Sequence, residues 1–125
     1  MGKRLHSAVK YEVKYGDKAI FNFQQEKINS LIYALAEGDC SCSHSYNGEI
    51  CFSDTVFANR SILLANVDKI IYPDTNWEFQ EDVDHYIKVI ERDVCPIARE
   101  DIYKNLKAII EQSDSNCVYV HFAWF

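Results

Sequence analysis

The chain has 125 residues, 48% hydrophobic and 26% charged, an ordinary globular composition that excludes a disordered tail. Four Gly and two Pro exclude collagen-like and linker-like sequence, and no apolar run approaches the roughly 18 residues that cross a bilayer. Thirteen Lys and Arg against nineteen Asp and Glu leave a net charge of -6, which argues against direct nucleic-acid binding, because phosphate contacts need a basic face. Residues 3–15 (KRLHSAVKYEVKY) alternate with period two: Leu5, Val9, Tyr11, Val13 and Tyr15 share one face, and His6, Lys10, Glu12 and Lys14 the other. Gly16-Asp17 is a turn signal, so Ala19–Phe23 is expected to return as the second strand of a hairpin.

Asn22 with Gln25 resembles a capping box, and Ile28, Leu31, Ile32 and Leu35 then recur at helical spacing up to Gly38. Residues 39–49 are polar and contain Asn47-Gly48, so they read as a loop, with Ile50–Phe52 a short strand at most. Ser53 or Asp54 is expected to cap a second helix reaching about Asn66, with Val56, Leu63 and Val67 buried. Lys69–Tyr72 is a brief apolar stretch closed by Pro73, either strand or linker. Thr75 with Glu78 suggests another capping box, opening a helix that buries Phe79, Val83, Tyr86, Ile87 and Ile90. Cys95-Pro96 ends it and starts a fourth, with Ala98, Ile102, Leu106 and Ile109 on one face.

Ser113–Asn116 is a turn, and Cys117–Phe125 (CVYVHFAWF) is a strand with two largely apolar faces. Such a strand is buried on both sides or covered by a partner subunit, and it is expected to pair centrally with the first strand. The fold class is therefore α+β: a small antiparallel sheet, made of the N-terminal hairpin and the C-terminal strand, packed with about four helices in one domain over 1–125. The uncovered strand points to a homo-oligomer.

The five cysteines are odd in number and irregularly spaced, and Met1-Gly-Lys-Arg leads into a strand and not a signal-peptide core. Reduced thiols and a cytoplasmic location follow as expectations. Cys40, Cys42, His44 and Cys51 offer four soft ligands within twelve residues, yet the one-residue spacing differs from the Cys-x-x-Cys of zinc knuckles. A surface loop with free thiols is the preferred reading, and no metal or cofactor is expected. Glu78, Asp82 and His85 share a helix face that could suit a hard cation, but a solvated polar face with a Glu–His contact is the preferred reading.

Glu78, Glu81, Asp82 and Asp84 stand in a stretch (70–87) that holds no Lys or Arg, an acidic surface suited to a basic protein partner. Arg4 and Lys10, with the aromatic rings of Tyr11, Tyr119 and Trp124, are candidates to hold a small nucleotide by charge and stacking. His6 and His121, each mid-strand on strands expected to be neighbours, form a candidate acid–base pair for phosphodiester chemistry. Two-histidine phosphoesterases carry a hydroxyl two residues after each His; here those positions are Ala8 and Ala123. Glycine-rich phosphate loops, nucleophile elbows and His-Glu-x-x-His are absent, which favours a binding protein over an enzyme.

The opening KRLHSAVKYEVKYG with FNF and the helix after it, together with the closing VYVHFAWF, resembles small proteins carried by bacterial prophages and integrative elements. That resemblance implies an accessory role countering host defence, by sequestering a nucleotide signal or masking a defence protein. It carries no site residues with it.

Overall fold

In the computed structural model, the described residues are 5–7, 24–42, 55–92 and 98–124. They form, in order, β1 (Leu5–Ser7), α1 (Gln25–Leu35), β2 (Cys40–Cys42), β3 (Thr55–Asn59), α2 (Arg60–Asn66), a 3-10 turn (Val67–Ile70), α3 (Gln80–Arg92), α4 (Arg99–Gln112) and β4 (Tyr119–Trp124). The strands make one antiparallel sheet in the order β1-β4-β3-β2. The fold is α+β, as composition and periodicity indicate, and β4 pairs centrally with β1 through Leu5 opposite Trp124. The expected return strand at Ala19–Phe23 lies outside the described residues. Among those residues, no helix is long and apolar enough to cross a membrane.

One face of the sheet is covered. Leu5, Val56, Ala58, Val120, Phe122 and Trp124 all point into a core shared with Ile28, Leu31, Ile32 and Leu35 of α1, Val83, Ile87 and Ile90 of α3, and Ile102, Leu106 and Ile109 of α4. These helical positions recur at three- and four-residue intervals, so each helix turns one apolar stripe inward. Ala98, expected on the buried stripe of α4, is exposed just before that helix begins. Two buried polar groups tie the layers together. The Trp124 indole N–H donates to Asn29 Oδ1 at 2.9 Å. The Asn66 amide donates to the Leu35 carbonyl at 2.8 Å and to Glu37 Oε2 at 2.7 Å. Each satisfies a donor that would otherwise be left dry at a cost of about 1–3 kcal/mol.

The end of α1 shows how local chemistry shapes the frame. Gly38 N–H donates back to the Tyr33 carbonyl and Glu37 N–H to that of Ala34, a Schellman arrangement. Its left-handed residue is Glu37, at φ 54°, followed by Gly38 at φ 83°. A non-glycine residue in that region is unfavourable; the bond from Asn66 to the Glu37 carboxylate helps hold it there.

The structure corrects the second helix. Thr55–Asn59 is a strand, and α2 starts only at Arg60. Val56, Leu63 and Val67 are all buried as expected, but Val56 reaches the core from β3. The cap is Asn59, whose Oδ1 accepts from Ile62 N–H at 3.1 Å, in place of Ser53 or Asp54. Lys69 and Ile70 belong to the 3-10 turn and not to a strand. Ahead of α3, the Thr75–Glu78 box gives way to Asp74 and Gln80: Gln80 Oε1 accepts from Asp74 N–H at 2.9 Å, and Asp74 Oδ1 accepts from Asn76 N–H at 3.0 Å. The strand β4 is likewise buried on one face only; Tyr119, His121 and Ala123 alternate with the core residues and keep partial exposure.

Candidate functional site

The second face of the sheet follows from the pairing register. Phe57 stands opposite His121 and Asn59 opposite Tyr119, so these four residues share the side turned away from the core. The face therefore mixes aromatic, imidazole and amide groups where the core face of the same two strands is apolar.

Its centre is a ring pair. Phe57 and His121 stack with centroids 4.3 Å apart and planes 19° from parallel. Partial burial, with desolvation as the cause, pushes the His121 imidazole below its ordinary value of 6.5, so the ring is neutral at physiological pH. The two rings face one another, so each keeps one outer face, partly apolar, against which a further ring can stack.

Two residues further along the strands stands a polar clamp. Asp39 Oδ1 accepts from the Tyr119 hydroxyl at 2.9 Å, and its Oδ2 accepts from Asn59 Nδ2 at 2.8 Å. The backbone adds Asn59 N–H donating to the Asp39 carbonyl at 3.0 Å. Three strands are thus joined at one end of the face by a single half-buried carboxylate. The bond to Asp39 holds the Tyr119 phenol above its ordinary pKa, because ionising it would put two anions in contact. Tyr119 is 41% exposed and available to a ligand.

The other residues singled out by the sequence fall elsewhere. Trp124 is 3% exposed, and its indole is committed to Asn29, so it presents no face to a ligand. It belongs to the core because it takes the even positions of β4 with Val120 and Phe122. Arg4, Lys10, Tyr11, His44 and Cys51 lie outside the described residues. Cys40 packs at the margin of the core, and Cys42 stands at the register position of Val56. Among the described residues, no group of three or more His, Cys, Asp or Glu is arranged to hold a metal ion.

Glu78, Glu81 and Asp82 are exposed at the entry to α3. Asp84 differs from them: its Oδ1 is 3.3 Å from Arg99 Nη1 and accepts from Gln80 Nε2 at 3.2 Å, so it helps fasten α3 to the start of α4. Of the acidic group, only three carboxylates remain for a partner. His85 sits edge-on to Tyr86, with centroids 5.4 Å apart. Trp77 carries Lys69 Nζ 4.3 Å above its ring and packs against the core margin.

Phe57, Asn59 and Asp39 were not among the sequence candidates. Phe57 and Asn59 alternate with Val56 and Ala58, a period-two signal too short to stand out beside the helical spacing that follows. Asp39 has no local signature, since its hydroxyl partner is 80 residues away. No family model, curated protein or solved structure matches the chain.

Proposed function

We propose that the chain is a non-catalytic, cytoplasmic binding protein of a phage or mobile element that counters host defence by sequestering a small cyclic nucleotide, acting as a homo-oligomer. The observation that carries this reading is the Phe57–His121 stack on the face turned away from the core, flanked by half-exposed Tyr119. The outer face of an aromatic ring on a sheet is a stacking surface for a base, worth about 1–3 kcal/mol per stacked base. The mobile-element context comes from the resemblance at the two ends of the sequence. Native mass spectrometry of the purified chain, followed by calorimetric titration with a panel of cyclic mono- and dinucleotides, tests it. An oligomer that binds one of these ligands, with affinity falling at least tenfold in Phe57→Ala, is the expected result. No adduct and no binding across the panel would overturn it, and would turn the search to a basic protein partner for Glu78, Glu81 and Asp82.

One observation favours a second reading, a two-histidine phosphodiesterase. His6 and His121 occupy neighbouring antiparallel strands, His6 at the register position of Ala123, two residues from His121. Turnover of the same nucleotides, abolished in His121→Ala, would establish it; binding without turnover would dismiss it.

A further inference from the structure

A carboxylate on a ligand-binding face is an acceptor with no proton to give, and what it accepts from decides what binds. Asp39 is such a group, and both of its oxygens are already oriented by neutral donors, the Tyr119 hydroxyl and the Asn59 amide. No cation among the described residues pairs with it. Each oxygen has further lone-pair capacity, so Asp39 offers two aligned acceptors and an unneutralised charge held in a fixed position. Its clamp stands two residues from the Phe57–His121 stack along β3 and β4, roughly 6.5–7 Å by strand rise. A purine stacked on the outer face of one of these rings therefore has an edge within reach of the carboxylate.

The purines differ at that edge. Guanine presents two adjacent donors, the ring N1–H and the exocyclic amine, which match the two oxygens of a carboxylate. Adenine presents a bare ring nitrogen there, an acceptor facing an anion. Leaving a charged acceptor desolvated against another acceptor is penalised more heavily than a lost bond.

We infer that the base held on this face is guanine, with Asp39 as the specificity-determining residue. This rests on the reading of the face as a nucleotide site and narrows it to guanine nucleotides. A bidentate match of this kind discriminates by roughly tenfold to a hundredfold.

Calorimetric titration of the full chain with GMP, IMP and AMP tests the inference without altering the protein. The three share one phosphate and ribose, and IMP keeps the N1–H while lacking the amine. The expected order is GMP tightest, IMP intermediate and AMP weakest, with GMP at least tenfold tighter than AMP. Asp39→Asn, which keeps an acceptor for the Tyr119 hydroxyl, is expected to bring GMP and AMP within a few-fold of each other. AMP binding as well as or better than GMP would overturn the inference while the nucleotide reading stands, as would an unchanged GMP preference in a folded Asp39→Asn. If none of the three binds and the cyclic ligands fail as well, both fall.

Discussion

The two faces of one sheet carry opposite designs. Toward the helices, Leu5, Val56, Ala58, Val120, Phe122 and Trp124 are all 3% exposed or less and make almost no use of polar chemistry. On the other side, Phe57, Asn59, Tyr119, His121 and Ala123 alternate with them along the same strands and remain partly open. Because side chains of successive strand residues point to opposite faces, a single strand serves both purposes, and neither face can be changed by sliding the register without ruining the other. Apolar burial is concentrated on one side, and the polar and aromatic groups stand on the other.

Three measurements would break or sharpen that contrast. The largest effect is expected from matched truncations. Phe122→Ala on the covered face should lower stability to urea unfolding by about 3–5 kcal/mol, as other buried Phe truncations do. Phe57→Ala, one strand away and on the face turned from the core, should cost clearly less, since Phe57 is only partly buried and part of what it removes was never taken from water. Equal losses would mean that the open face is as much a core as the covered one.

An intermediate effect is expected at Asn59, which serves the fold and the face together. Asn59→Ala removes the cap bond to Ile62 N–H and the bond to Asp39 Oδ2. A loss of about 1–2 kcal/mol follows, in line with other caps. A loss near zero would show that the clamp at this end of the sheet is held by the backbone alone.

The smallest effect concerns pH. The His121 imidazole is held below its ordinary value by burial. Below pH 6.5 the unfolded chain therefore takes up this proton before the folded one does. Stability should fall as pH drops from 6.5 toward the folded value, and His121 should contribute no slope above 6.5. A His121→Phe variant, which preserves the stack, should lose that part of the acid slope; an unchanged profile would show that the imidazole titrates as freely folded as unfolded.

Much of the frame was legible because it is written in local spacing. The stripes of α1, α3 and α4 and the alternation of β4 repeat often enough to be read from the chain alone. The strand β3 was not, since Val56, Leu63 and Val67 lie seven and four residues apart and imitate one helix face. Only the partner strand resolves that ambiguity, because Val56 and Ala58 gain their burial from pairing opposite Phe122 and Val120. For β2, three residues of Cys-Ser-Cys hold no pattern at all, and its place depends on β3 beside it. The face itself follows the same rule. His121 and Tyr119 were visible within their strand, whereas the Asp39 clamp exists only once distant segments have met.

The position of β4 bears on how the chain reaches this state. It is the last described element in sequence, yet it lies inside the sheet between β1 and β3. A chain is synthesised from its N-terminus, so, among the described strands, β1 and the β2–β3 ribbon emerge before the one that lies between them. A two-stranded ribbon is marginal in water, and pairing the first strand with the last closes a loop spanning nearly the whole chain. Until Phe122 and Val120 arrive, Leu5, Val56 and Ala58 lack the strand that pairs beside them. Closure of the described sheet thus waits for its last strand, and an unpaired strand edge in that interval is open to aggregation.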